Sequence, residues 1–317
     1  MHSSLFIFAR VFGLGVFAAY VALVATSVAA EPKVVATVAP VHSLVWAVTE
    51  GITEPALLLP SSASPHSFQL RPSQVQILNG ADIIFWIGPT FETSLVKILQ
   101  QLKTLHKTVA LSSLTTLHQL RNRENAAWHH QHDDESGTEV GTDYADHNDV
   151  HIWLDPVNAS HMVDEIAQQM SDLDTQNAQR YRLNAANYKR RLERLHLYLS
   201  SLIEPVRNEP FLVFHDAFHH LEYRYGLQAI GAVTVVPERQ PGAKHLTELR
   251  KLLLDKRARC VFHEPQFVPR LVDSIATDTG VRVGVLDALG IDITPGPSAY
   301  LELMKRNVRS LVECLQR

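Results

Sequence analysis

An α/β fold of two Rossmann-like lobes, joined by one long rigid helix, is predicted by three features of the sequence. Short β-rich runs alternate with helical patterns up to about residue 117. The alternation then gives way to a polar stretch and a long helical tract, and it resumes from residue 211 to the end of the chain. Strands separated by helices need crossover connections, and those produce parallel sheets covered by helices on both faces.

The elements follow in order. In the first half, VVATVA at 34–39 precedes the helical VHSLVWAVTEG, and ALLLP at 56–60 precedes RPSQVQILNGA. DIIFWIG at 82–88 precedes SLVKILQQL, and TVALS at 108–112 closes the series. From 118 to 148 there is no apolar periodicity and His, Asp, Glu, Gly, Asn and Thr predominate, which reads as an exposed loop without packed structure. After HIWLDP come HMVDEIAQQMSDL and AQRYRLNAANYKRRLERLHLYLSSLI, where Tyr181, Leu183, Ala186, Tyr188, Leu192, Leu195, Leu197, Leu199 and Leu202 recur among Lys and Arg, most of them three or four positions from another of the set. A helix over 175–204 would be about 45 Å long, enough to run the height of two lobes. FLVFHD at 211–216, LQAIGAV at 227–233, CVFHEP at 260–265 and VRVGVLDAL at 281–289 then restore the β rhythm, with HLTELRKLLLDK and VPRLVDSIATD as intervening helices. The organisation expected is a first lobe over 31–173, a connecting helix over 174–205 and a second lobe over 206–317.

The 317-residue chain opens with one Arg at position 10, an apolar stretch and the small residues Val28, Ala29 and Ala30. That is the pattern of a secretory signal peptide over 1–30, the alternative being an N-terminal membrane anchor. No Cys precedes position 260, which excludes a lipid anchor made through an N-terminal Cys. A formal charge of −4 and the absence of a basic block point away from nucleic acid. In an exported chain Cys260 and Cys314 are expected to form a disulfide, worth on the order of 4 kcal/mol by chain entropy. A metal held by these two thiols is the weaker alternative, because no Cys-x-x-Cys spacing exists.

Three histidines stand where an apolar run meets a loop: His66 in LLLPSSASPHSFQLRPS, His151 in DVHIWLDP and His215 in FLVFHDAF. Ligands of open α/β sheets bind outside the carboxyl ends of strands, which suits His66 and His215. A single such His is more often a core or capping residue, but three spread over both halves point to a metal site shared between lobes. Asp287, at another strand end in VGVLDALG, is a fourth candidate whose other role is to cap the following turn. His129, His130, His132 and His147 lie in the polar stretch, with His118 at its edge, and have no scaffold to fix them. They read either as an accessory loop that holds metal loosely or as a solvated insertion. His219, His220 and His263 read as structural or surface residues, with His263 and Glu264 near enough to the cleft strand to merit mutation.

LLLPSSASPHSFQLRPSQVQILNGADIIFWIGP, HIWLDP, FLVFHDAF, VPERQPGA, CVFHEPQF and VGVLDALG, in this order across nearly the whole chain after residue 30, resemble the ZnuA family, the zinc-binding components of high-affinity zinc ABC importers within the cluster A-I metal-binding proteins. The resemblance implies two α/β lobes joined by a long helix, with Zn²⁺ in the cleft between them, held by His66, His151 and His215 with Asp287 at the carboxylate position. It also implies a periplasmic carrier that is not an enzyme, expected to be a monomer, and a partner in the form of an ABC permease with its cytoplasmic ATPase. Some members carry Glu before the first His; here Pro65 stands there, leaving Asp287 or a water for the fourth position.

Imidazole suits Zn²⁺ and carboxylate oxygen suits Mn²⁺, so three histidines favour zinc over the manganese or iron carriers of the same fold. An exported zinc hydrolase would need a general base beside an open metal position, yet the sequence has neither His-Glu-x-x-His nor Gly-x-Ser-x-Gly. An adhesion role has only the family's surface proteins to suggest it.

Overall fold

Among the described residues every strand runs parallel to its sheet neighbours, in keeping with the near-continuous apolar runs of the central strands, since a strand covered on both faces need not alternate. The computed structural model describes residues 30–102, 107–123, 148–234, 237 and 241–316. β1 (Val34–Ala36), β2 (Ala56–Leu57), β3 (Ile83–Trp86) and β4 (Lys107–Ala110) form one sheet in the order β2-β1-β3-β4. β5 (Phe211–His215), β6 (Ala229–Thr234), β7 (Cys260–His263) and β8 (Arg282–Val285) form the other in the order β6-β5-β7-β8. The second half thus repeats the topology of the first. In each sheet the strand order reverses direction between the first and third strands, which creates a crevice at their carboxyl ends.

The strands are shorter than the apolar runs that announce them. VVATVA contributes only three strand residues, because α1 (Ala39–Thr49) starts at its end with Pro40 in the first turn, where a missing N–H does no harm. α2 (Pro72–Asn79) and α3 (Val96–Leu102) complete the first α/β series. α4 (Pro156–Leu173) opens with Pro156 and is capped by Asp155, whose carboxylate accepts from the Val157 N–H at 2.8 Å.

α5 (Ala178–Ile203) is the connector. It begins three residues later than the apolar pattern suggests because Asp174 closes a turn ahead of it. Its carboxylate accepts from Asn177 Nδ2 at 2.7 Å and from the Tyr181 hydroxyl at 2.9 Å. At 1.5 Å per residue the helix is about 39 Å long. Tyr181, Ala185, Tyr188, Leu192, Leu195, Leu199 and Ile203 form its buried stripe, whereas Leu183 and Leu197 fall off the stripe and are 58% and 62% exposed. α5 packs on α1 and α4 of the first lobe and on α9 (Ala299–Gln316) of the second, so one stiff element touches both. α6 (His219–Tyr225), α7 (Ala243–Asp255) and α8 (Arg270–Thr279) complete the second lobe. Cys260 at the start of β7 is disulfide-bonded to Cys314 of α9, with Cα atoms 6.2 Å apart, so neither sulfur is left for a metal.

The edges of the polar stretch are more ordered than its composition suggests. The His118 N–H donates to Asn158 Oδ1 at 2.8 Å, Arg121 bridges Asn148 in antiparallel fashion, and the Asp149 N–H donates to the Leu120 carbonyl at 2.7 Å. His129, His130, His132 and His147 lie outside the described residues, as does the expected leader up to residue 29. Among the described residues no helix is long and apolar enough to cross a membrane.

Candidate metal centre

His215 is the last residue of β5, at the crevice where the second sheet reverses its strand order. The pairing of Phe211 with Cys260 and Leu212 with Val261 carries on to set Glu264, just past β7, beside His215. Its Oε1 forms a short hydrogen bond with Nδ1 of His215. Both groups are buried, and Nε2 of His215 is buried with no hydrogen-bond partner. The ring is thus held by one nitrogen and presents the other to the cleft.

His151 is held in the same way. Its Nδ1 meets Asp149 Oδ1 at 2.8 Å, and its backbone N–H donates to that oxygen at 3.0 Å. The spacing Asp-x-His lets one carboxylate grip both backbone and ring. After it, Ile152–Leu154 form a single 3-10 turn rather than a strand, and Trp153 is fully buried. Its indole N–H donates to the Ala288 carbonyl at 2.9 Å, and its carbonyl accepts from the Tyr300 hydroxyl at 2.7 Å. Both partners belong to the second lobe, so the segment that carries His151 is wedged between the lobes.

His66 comes from the loop between β2 and α2, edge-on to Phe91 with ring centroids 5.0 Å apart. Its ring lies 5.8 Å from that of His151 and 6.0 Å from that of His215, and the latter two are 5.3 Å apart. One nitrogen from each ring lies within 4.8 Å of the others, the only such group of three metal-ligating side chains among the described residues. Pro65, Phe91, Trp153, Phe267 and Ala288 wall the space around them.

The electrostatics differ from ring to ring. Burial, then the neighbouring imidazoles of His151 and His215, push the His66 pKa down to about 3, so this ring is neutral. Burial pushes Asp149 up, but His151 beside it outweighs that and holds the carboxyl at about 2. Burial alone would lower His215, yet Glu264 raises it above the ordinary value, so this imidazole attracts a proton in the absence of another cation. Imidazoles with carboxylates behind two of them are a metal-ligating arrangement, because the rear carboxylate fixes the tautomer and increases ring basicity.

Asp287 is not part of this group. One of its oxygens accepts from the N–H groups of Leu289 and Gly290 at 2.9 and 2.8 Å and from Gln266 Nε2 at 2.7 Å, and the other accepts from the Ile291 N–H at 2.7 Å. The carboxylate caps the turn after β8. His220 is buried, its Nε2 3.3 Å from the Asp149 carbonyl, while His219 approaches Asp149 Oδ2 at 4.0 Å. His118 stacks on Tyr223 with ring centroids 4.3 Å apart. The orienting role of Glu264 was not legible from its position in CVFHEP, and that of Asp149 was hidden in a run of acidic residues.

The profile of the family described as zinc-uptake complex component A, periplasmic (ZnuA), matches residues 34–314. A high-affinity zinc uptake system protein ZnuA of Brucella suis biovar 1 is 35% identical, with 92% of this chain and 94% of that protein aligned. Its namesake in Yersinia pestis is 33% identical over 90% of this chain and 92% of its own. Among solved structures, a zinc-bound ZnuA deletion mutant superposes with a TM-score of 0.75 at 22% identity, covering 90% of this chain and 98% of that one. A mutant of the laminin-binding adhesin of Streptococcus agalactiae reaches 0.74 at 24% identity, covering 90% and 99%. The structural likenesses establish the two-lobed fold, and the family match over nearly all of the chain after residue 33 establishes descent: the chain belongs to the ZnuA family of periplasmic zinc-uptake components.

Proposed function

We propose that this protein captures one periplasmic Zn²⁺ between its lobes through His66, His151 and His215 and hands it to the permease of an ABC importer. The observation that carries this reading is the pair of rear-held rings: His215 with Nδ1 on Glu264 and a buried, unpartnered Nε2, and His151 with Nδ1 on Asp149. Zinc suits three nitrogen donors in tetrahedral geometry, whereas manganese favours oxygen, and the Irving-Williams order already ranks Zn²⁺ above Mn²⁺.

A water completes the coordination in this reading. Four N–H donors already meet Asp287, so moving its carboxylate to the metal would leave several of them unsatisfied. The family is one of transport components, and the ion is cargo. The chain acts as a monomer, and because α5 packs on both lobes, capture involves a modest tilt or loop adjustment rather than wide closure. The insertion with His129, His130, His132 and His147 serves as a weaker collecting segment.

Calorimetric titration of Zn²⁺ and Mn²⁺ into metal-stripped protein, with and without residues 128–147, tests this. The expected result is one tight zinc site that survives the deletion, weaker sites lost with it, and feeble manganese binding. Loss of the tight site with the insertion, or manganese binding as strong as zinc, would overturn it.

A further inference from the structure

Arg123 comes from the upstream edge of the insertion and reaches across to the second lobe. Its Nε donates to both oxygens of Asp216, at 3.1 and 2.9 Å, and Nη2 makes a short contact with the same carboxylate. Nη1 donates to Glu222 Oε2 at 2.7 Å, and Nη2 lies 3.3 Å from Oε1. Asp216 directly follows His215, and Glu222 lies on α6, the helix that the β5 turn leads into. One guanidinium therefore joins the residue directly after His215 to the helix that follows its turn. Asp149, three residues before the buried 3-10 turn Ile152–Leu154 begins and directly after the Arg121–Asn148 bridge, holds His151 from the other edge of the same insertion.

We infer that Arg123 is a positioning residue for metal binding: by gripping Asp216 and Glu222 from the first lobe, it sets how far His215 stands from His66 and His151. The inference rests on the assignment of those histidines as ligands. Planar, multiply bonded guanidinium–carboxylate pairs specify direction as well as distance, which a lysine ammonium does not. A second cross-lobe pair provides an internal comparison. Arg224 donates to Asp155 through Nε at 2.8 Å and Nη2 at 2.5 Å, and Asp155 caps α4 without adjoining any of the three histidines. Both pairs hold the lobes together, but Arg123 bonds the residue directly after a ligand, whereas Asp155 stands at the far end of the 3-10 turn that follows His151.

The test is the zinc affinity and release rate of the metal-stripped protein and its variants, with Co²⁺ absorption as a report on ligand geometry. Arg123→Gln should weaken zinc binding by about tenfold, the range for groups that orient metal ligands, mainly through faster release, and should alter the Co²⁺ spectrum. Asp216→Asn should do the same to a smaller degree, and Arg123→Lys should recover part of the loss. Arg224→Gln should lower the unfolding temperature while leaving release and the Co²⁺ spectrum as in the wild type. Equal changes in release for Arg123→Gln and Arg224→Gln would overturn the inference, since a loosened interface would then explain both. Wild-type release in folded Arg123→Lys and Asp216→Asn proteins would overturn it as well. His215→Ala separates the two levels: if it left zinc affinity intact, the ligand assignment itself would fall, whereas its collapse beside an unaffected Arg123→Gln would refute only the positioning role.

Discussion

The two sheets share one strand order and use their crevices in opposite ways. Between β5 and β7 the second sheet places His215 and Glu264, with a ring nitrogen left facing the cleft. Between β1 and β3 the first sheet is closed by Glu92, which is fully buried and accepts hydrogen bonds from the Thr37 hydroxyl and, at 3.4 and 2.9 Å, from the N–H groups of Ile87 and Gly88. A carboxylate follows the third strand in each case. In one lobe it orients a cleft-facing imidazole, and in the other it satisfies backbone donors and seals the sheet. The first lobe instead offers His66 and His151 from segments outside its crevice. Topology fixes where a crevice lies, and the residues that fill it decide whether it becomes a site.

The largest effect expected from breaking this contrast is at the open crevice. His215→Ala should lower zinc affinity by more than about 100-fold, beyond the range for orienting groups. Titration calorimetry reads this directly, and a loss of less than tenfold would mean that the ion is held elsewhere. Glu264→Gln should come next, with a loss of about 10- to 100-fold. It should also change the pH profile. In the wild type Glu264 raises the pKa of His215 above its ordinary value, and zinc needs the neutral ring, so affinity falls as pH drops through that raised value. Without the carboxylate the proton competes less, and the fall should begin at lower pH. An unchanged profile would contradict the pairing of these two groups.

How much of this was legible in the sequence differs from one residue to the next. The strands announced themselves because parallel, doubly covered strands are written as apolar runs, and α5 because its stripe repeats at steps of three and four. His66, His151 and His215 stood out as histidines beside such runs. Glu264 was marked only as close to the cleft strand; its role behind His215, 49 positions away, emerges only through the pairing of β5 with β7. Arg123 lay in a stretch without periodicity, where nothing marks a residue that grips the other lobe. Asp287 shows the reverse problem: a carboxylate at a strand end looks the same in sequence whether it binds an ion or caps a turn, and the capping bonds appear only in three dimensions.

The closed crevice should respond in stability rather than in binding. Burial raises the Glu92 pKa from the ordinary 4.5 to about 7, so between those values the folded chain holds a proton that the unfolded chain has lost. Stability from this group is therefore fully present below about pH 4.5 and declines as pH rises to about 7, by on the order of 3 kcal/mol. Denaturant unfolding of wild type and Glu92→Gln at pH 5 and pH 8 should show the wild type losing ground to the variant at the higher pH. A gap that stays constant with pH would remove Glu92 as the titrating group. The smallest binding effect is expected at Asp287. Asp287→Asn should leave zinc affinity within about twofold and cost about 1 kcal/mol of stability as the cap weakens. A large loss of affinity in a folded variant would return this carboxylate to the metal.

The most direct test of the central assignment is an anomalous difference map at the zinc edge from crystals of the zinc-loaded protein. A single strong peak within bonding distance of one nitrogen each from His66, His151 and His215, with Nδ1 of His151 still on Asp149 and Nδ1 of His215 still on Glu264, is the result predicted. A peak bonded to the Asp287 carboxylate in place of one of these rings, or lying away from the three histidines, would contradict it.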